Sequence, residues 1–240
     1  MLILRSCVFT LFQWVITPIF TVISLCTFPL PRLMRYRIIT TWSRLIIGAA
    51  WHVCGVRYRV FGLENLPQQP CVIFSKHQSA WETLAWQVIF PPQVWVTKRE
   101  VLWIPFFGWG LAMLSPIAIN RNAGASALRQ MVKQGRERLD AGFCIVIFPE
   151  GTRVAPGERA AYHPGGAFLT VKTKALAVPV AHNAGYLWRK NAFLKRPGLI
   201  TVSVGPAISP EGLSASELNQ KVEDWIESEM QRLNTVEYAK

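Results

Sequence analysis

Short apolar runs that end abruptly in polar residues recur along the middle of the chain. The clearest are Cys71–Phe74 and Phe143–Phe148. Apolar runs of this length predict strands buried on both faces, as in a parallel sheet. Weaker runs predict further strands, at residues 57–61, 94–96, 115–119, 177–180 and 199–204.

Segments with helical periodicity alternate with these strands. One follows His77 and stops at Pro91-Pro92, and a second spans residues 125–139 before Gly142. The last begins at the capping box Ser214-x-x-Glu217. Strands alternating with helices predict a layered α/β domain with a mostly parallel sheet.

The N-terminal quarter has a different character. Residues 7–31 are apolar except for single hydroxyls and Gln13, and about 20 such residues cross a bilayer. Residues 38–56 are also apolar but carry Arg44 near the middle, which favours a helix lying in the membrane interface. We therefore expect residues 1–56 to anchor the protein in a membrane, either by one spanning helix or by two helices that dip into it. Residues 57–240 have the size of one compact domain.

Charge placement supports this division. The net charge is +12, yet the first acidic residue is Glu64, and seven arginines precede it. Basic residues beside an apolar segment favour an anionic cytoplasmic leaflet. Nucleic acid is a weaker explanation, because these arginines are threaded among Ile, Leu and Trp. Five scattered cysteines without paired spacing argue against a disulfide framework or a zinc site.

His77 and Glu82 follow the Cys71–Phe74 run and are the first candidates for chemistry. A neutral imidazole can take a proton from a hydroxyl, and a carboxylate on its other nitrogen fixes the tautomer. A structural alternative remains, since Ser79-x-x-Glu82 is itself a capping box.

Glu150, Gly151, Thr152 and Arg153 follow the Phe143–Phe148 run. Glycine permits close approach of a ligand, and arginine can bind a phosphate through two hydrogen bonds. Arg121 comes at the end of another predicted strand. Ligands of open α/β sheets lie beyond the carboxyl ends of the strands, so these residues predict an anion site near His77. Surface ion pairs are the alternative for the arginines.

These blocks together resemble the glycerolipid acyltransferase family, and especially its bacterial members that act on 1-acyl-glycerol-3-phosphate. The resemblance covers about residues 57–210. It rests on four stretches in the family's order, which are His77 with Glu82, Ile119-Asn-Arg121, Phe148–Arg153 and Val178-Pro-Val180.

The resemblance implies that His77, oriented by Glu82, deprotonates the sn-2 hydroxyl of lysophosphatidate, which attacks acyl-ACP or acyl-CoA directly. Arg121 and Arg153, with the turn at Glu150, Gly151 and Thr152, would hold the acceptor's phosphate. Backbone N–H groups just after His77 are candidates for stabilising the oxyanion. No metal or further cofactor is implied. The expected location is the bacterial inner membrane, with the catalytic domain on the cytoplasmic face among membrane lipids.

Two departures from the family keep other interpretations open. Glu82 stands where the family usually has Asp, and His163-Pro-Gly stands where many members have a basic residue. The second departure leaves another lysolipid acceptor open, for example a lyso-ornithine lipid. A non-enzymatic peripheral membrane protein is the remaining alternative, and it would need neither His77 nor Arg153.

Overall fold

The computed structural model describes residues 1–120 and 123–235 of the chain. Arg121, one of the predicted phosphate ligands, lies outside the described residues. The helices are α1 (Leu2–Cys26), α2 (Arg32–Ile39), α3 (Thr41–His52), α4 (Trp81–Ile89), α5 (Phe107–Met113), α6 (Gly124–Asp140), α7 (Gly165–Thr173) and α8 (Ala215–Thr235). The strands are β1 (Val56–Phe61), β2 (Val72–Ser75), β3 (Gln93–Lys98), β4 (Ile117–Ile119), β5 (Cys144–Ile147), β6 (Ala177–His182) and β7 (Gly198–Val204).

The seven strands form one sheet in the order β1-β7-β6-β2-β5-β3-β4. Every neighbouring pair is parallel except β6 and β7, which are antiparallel. The predicted α/β fold with a mostly parallel sheet is confirmed. Strands β2, β5 and β6 are buried along their whole length, which explains their continuous apolar sequence. Because β2 and β5 are central neighbours, the polar segments that follow them emerge side by side.

Helix α1 runs without interruption through Pro18. Within the described residues it is the one helix long and apolar enough to cross a membrane. Its buried residues are Ser6, Thr21 and Ser24 together with Phe9, whereas most of its large apolar side chains are exposed, with Trp14 77% exposed. A helix on a soluble domain usually buries its apolar side chains and exposes its polar ones, and α1 largely does the opposite. This arrangement suggests that α1 associates with a membrane.

Helix α3, from the second apolar stretch, packs on the α/β domain. Ile46, Ile47 and Ala50 are buried in the same core as the sheet, and α3 lies against α4 and β1. This face of the stretch therefore contacts protein, where the sequence favoured a helix lying in the membrane interface. The predicted division after residue 56 falls one residue inside β1 and stays a prediction.

The segment after β3 carries a second exposed apolar surface. It forms a short 3₁₀ helix at Arg99–Trp103 and then α5. Trp103 is 68% exposed, and Ile104, Phe106, Phe107 and Trp109 are exposed as well. The Thr21 hydroxyl of α1 donates to the Phe106 carbonyl at 3.1 Å, so this surface adjoins α1. Both surfaces are candidates for contact with lipid.

Candidate active site

His77 lies in the loop between β2 and α4, directly beyond the carboxyl end of the strand. Its Nδ1 is 2.9 Å from Oε1 of Glu82, which sits in the first turn of α4. The imidazole also stacks on Phe148 from the neighbouring block, with ring centroids 4.0 Å apart. A carboxylate facing Nδ1 holds the proton there and leaves Nε2 as the nitrogen that can accept one.

Glu82 is fully buried and contacts both the imidazole and the backbone N–H groups of the helix start. The same oxygen that faces His77 also accepts the N–H groups of Gln78 at 2.9 Å and Ser79 at 2.7 Å. Burial alone would raise the pKa of Glu82, but the nearby His182 ring, the His77 ring and the Ser79 N–H outweigh it and bring the pKa below its ordinary value. The carboxylate is therefore charged at neutral pH.

Three of the backbone N–H groups after His77 already have acceptors within the protein. Those of Gln78 and Ser79 bind Glu82, and that of Trp81 donates to the Ser79 hydroxyl at 3.0 Å. The prediction that this helix start stabilises the thioester oxyanion is therefore wrong for these three groups. Physically, the buried carboxylate competes for the same donors that a developing oxyanion would need.

The turn after β5 holds the backbone of His77 from both sides. Its N–H donates to Oε2 of Glu150 at 2.7 Å, and its carbonyl accepts the Val154 N–H at 2.8 Å. Gly151 has φ of 67°, a conformation that favours glycine and allows the turn to double back here. The two sequence blocks thus form one rigid unit around the imidazole.

Glu150 occupies a different place from the one expected of a phosphate ligand. It is 3% exposed, and its carboxylate binds Lys76 Nζ at 2.6 Å besides the His77 N–H. A carboxylate so engaged repels a phosphate and cannot reach one. Only its backbone is left for an acceptor.

Arg153 borders a cleft that His77 also lines, together with Ser79 and Thr83. Thr152 is exposed beside it, and the Lys190 ammonium donates to the Arg153 carbonyl at 3.2 Å. The structure therefore brings the predicted base and one predicted phosphate-binding guanidinium to the same opening. A cation here favours an anionic group close to the imidazole.

An apolar cavity of about 320 Å³ begins at the same imidazole. Its walls come from α1, α4, β3 and α5, with Phe20, Leu84, Trp95, Phe107 and Leu111 among the lining residues. His77 and Gly151 lie on its wall. The site therefore joins an apolar cavity to a cleft that Arg153 borders, and the imidazole lines both.

The sequence did not single out two further residues near this site, His182 and Lys76. His182 donates from Nε2 to the Lys76 carbonyl at 2.8 Å and accepts the Ala184 N–H at Nδ1, so its tautomer is set by its partners. Lys76 itself is buried at 1% exposure. In the sequence, the position of Lys76 directly after a buried strand could have indicated its place in the site. A lysine at such a position is, however, usually a solvated residue at the end of a strand.

The comparison with known proteins agrees with this geometry. The model of the Acyltransferase family matches residues 57–183, and the chain belongs to this acyltransferase family. It is 45% identical over 212 residues to the 1-acyl-sn-glycerol-3-phosphate acyltransferase of Pseudomonas aeruginosa, covering 87% of this chain and 82% of that protein. It is 27% identical over 191 residues to the enzyme of that name from Limnanthes douglasii, covering 79% and 68%.

A solved structure shares the whole fold. The crystal structure of the 1-acyl-sn-glycerophosphate acyltransferase of Thermotoga maritima superposes with a TM-score of 0.79 over 98% of both chains, at 21% identity. The resemblance found in the sequence is thus confirmed, and the chain is an acyltransferase.

Proposed function

We propose that the chain transfers a fatty acyl group from acyl-ACP or acyl-CoA to the sn-2 hydroxyl of 1-acyl-glycerol-3-phosphate, giving phosphatidic acid. The observation that carries the proposal is a single imidazole, backed by a buried carboxylate, that lines both an apolar cavity and a cleft bordered by Arg153. The names of the relatives support the same substrate class.

In the proposed reaction Nε2 of His77 takes the proton of the acceptor hydroxyl. The oxygen attacks the thioester carbonyl carbon, the carbon–sulfur bond breaks, and the thiolate leaves with the proton returned by the imidazolium. Glu82 keeps Nδ1 protonated and stabilises the transient positive charge. General-base assistance of this kind contributes about 10²–10⁴-fold to the rate. The step needs only these side chains and the thioester, with no metal.

Arg153 and the exposed Thr152 hydroxyl are proposed to bind the acceptor's phosphate, next to the Gly151 turn. Arg121 is proposed as a second ligand on the family resemblance. Glu150 supports this turn through its side chain, as its contacts with Lys76 and His77 indicate. A guanidinium pair would bind the dianion of a phosphomonoester in preference to a zwitterionic headgroup.

The apolar cavity is proposed to hold an acyl chain while the reacting carbonyl sits at His77. Its walls include α1 itself, and the outer face of α1 and the surface around Trp103 expose large apolar side chains. Lipid contact along these surfaces would let a lysolipid enter the cleft from the bilayer. The arginines around α1 and the absence of acidic residues before Glu64 favour the cytoplasmic face of the inner membrane.

An acceptor panel tests the proposal. Purified full-length enzyme in phospholipid vesicles is given one acyl-CoA and, in parallel, lysophosphatidate, lysophosphatidylethanolamine and a lyso-ornithine lipid. The proposal expects phosphatidate as the main product. Equal or greater transfer to the acceptors without a phosphomonoester would overturn it in favour of another lysolipid. Repeating the assay with acyl-ACP identifies the donor.

A further inference from the structure

Lys76, the residue before His77, carries a charge in the interior of the domain. Its ammonium lies 2.6 Å from Glu150 and 2.8 Å from Glu227. A buried charge persists only when it is paired, and replacing a buried ion pair by apolar residues is often neutral or stabilising. The stability of the fold therefore gives no clear reason for placing three charges here.

The loop that carries His77 is held at several points, and one of them depends on this cluster. The Lys76 N–H donates to the Val180 carbonyl at 3.0 Å, and the Lys76 carbonyl accepts from His182. The Val154 N–H binds the His77 carbonyl. The fourth backbone group of these two residues, the His77 N–H, donates to the carboxylate of Glu150. It is the one backbone group of the four whose partner belongs to the charged cluster. The direction of that carboxylate therefore affects the orientation of the imidazole.

Glu227 brings the C-terminal helix α8 into the same cluster. Its Oε1 accepts from Lys76 Nζ at 2.8 Å and from the Tyr162 hydroxyl at 2.8 Å. The Tyr162 carbonyl is in turn bound by Asn219 of α8 at 3.1 Å. Burial and the neighbouring carboxylates raise the pKa of Tyr162, so that its phenol remains a donor. Glu227 therefore has two donors that fix its position under Lys76.

We propose that Lys76 and Glu227 are a positioning pair, which acts through Glu150 to hold the His77 N–H and so the catalytic imidazole. The ammonium sits between the two carboxylates, and Glu227 prevents it from moving away from Glu150. Helix α8 lies beyond residues 57–183, the part that matches the family model. The inference rests on the proposed role of His77 as the base, and it gives α8 a part in catalysis.

The charges around Glu150 predict a pH signature. Lys76, the His77 N–H, Tyr162 and Glu227 are the groups that face it from the His77 loop, the segment before α7 and α8. Burial raises the pKa of Glu150, and the Lys76 ammonium opposes that rise. In Lys76→Met the opposition is gone, so the pKa of Glu150 should rise further. We therefore expect the activity of Lys76→Met to reach its plateau at a higher pH than that of the wild type, and identical pH profiles would contradict this part of the inference.

The test measures kcat and KM for the purified full-length enzyme in vesicles, with acyl-CoA and lysophosphatidate. Glu227→Gln is the main variant, and Glu229→Gln is its control. Glu229 is two residues away on α8 and pairs with the exposed Arg232. A displacement of about 1 Å in a catalytic group can cost about 10²-fold, and we expect a fall of at least about tenfold in kcat for Glu227→Gln. Both KM values and the kcat of Glu229→Gln should stay within about twofold of the wild type.

A double-mutant cycle separates positioning from simple support of the fold. If Glu227 acts through Glu150, then Glu227→Gln should cost much less in a Glu150→Gln background than in the wild type. Equal losses in both backgrounds, or an unchanged kcat in a folded Glu227→Gln enzyme, would overturn the inference. A fall in kcat that only matches a fall in the folded fraction would overturn it too. A wild type without transfer activity would instead overturn the proposed function.

Discussion

Replacing Glu82 by Gln removes the charge behind His77 and keeps an oxygen in its place. In the structure one carboxylate oxygen accepts from His77 Nδ1 at 2.9 Å and from the Gln78 and Ser79 N–H groups at 2.9 and 2.7 Å. The amide oxygen of Gln can accept from the same three donors. What changes is the stabilisation of the imidazole as it becomes positively charged.

The size of this effect is bounded by two estimates. A hydrogen bond to a charged group contributes about 1.5–3 kcal/mol, and one between neutral groups about 0.5–1.5 kcal/mol. The difference of about 1–1.5 kcal/mol corresponds to roughly tenfold in rate. Two unit charges about 4 Å apart at an effective dielectric of about 20 interact by about 4 kcal/mol, which gives an upper limit near 10³-fold. The kcat of Glu82→Gln should therefore fall by about tenfold to 10³-fold.

Initial rates of transfer from radiolabelled acyl-CoA to lysophosphatidate measure this prediction, with kcat and KM determined separately. KM for the acceptor should be unchanged, because Glu82 is buried and does not contact the cleft. Glu82→Ala leaves two buried N–H groups without an acceptor, at about 1–3 kcal/mol each, so its Tm should fall further than that of Glu82→Gln. The exposed Glu64 provides a control as Glu64→Gln. A Glu82→Gln enzyme with more than half of the wild-type kcat would refute the reasoning.

Three further predictions concern binding and stability. Arg153→Lys loses the bidentate contact with phosphate, so KM for lysophosphatidate should rise about tenfold at an unchanged Tm. An unaltered KM would show that Arg153 does not bind the phosphate. Trp14→Glu puts a charge on the exposed face of α1. The loss of about 1.5–3 kcal/mol of apolar burial in the membrane should lower vesicle binding, measured by co-sedimentation, at least about tenfold. Equal sedimentation of variant and wild type would show that this face does not contact lipid. Gly166→Ala places a Cβ 2.8 Å from a buried ring carbon of Phe74. The resulting strain of about 1–3 kcal/mol should lower Tm, measured by calorimetry, by about 2–12 °C. An unchanged Tm would contradict this close packing.

The strands were predictable because each buried strand is a continuous local pattern. Cys71–Phe74 and Phe143–Phe148 indicated β2 and β5 within a residue or two at each end. Strand order and the antiparallel pairing of β6 with β7 depend on contacts between distant segments, which no local periodicity records. The same limit applies to α3, whose apolar sequence suits a membrane interface and a protein core equally well.

The chemistry of the site divides in the same way. His77 and Glu82 are five residues apart across one turn, so their contact could be inferred from spacing alone. The side chain of Glu150 could not be placed, because its direction is set by Lys76 and by the cluster around Glu227. A short polar motif gives the residue types at a strand end, whereas the partners that orient them come from the rest of the fold.

The central claim is that the imidazole of His77 is the base for acyl transfer at this site. The most direct measurement is kcat for His77→Ala in vesicles, beside His52→Ala, which alters an exposed histidine at the end of α3. We expect a loss of about 10²–10⁴-fold for His77→Ala, with Tm and vesicle binding unchanged, and full activity for His52→Ala. A folded, vesicle-bound His77→Ala enzyme that keeps its kcat within about threefold of the wild type would show that His77 is not the base.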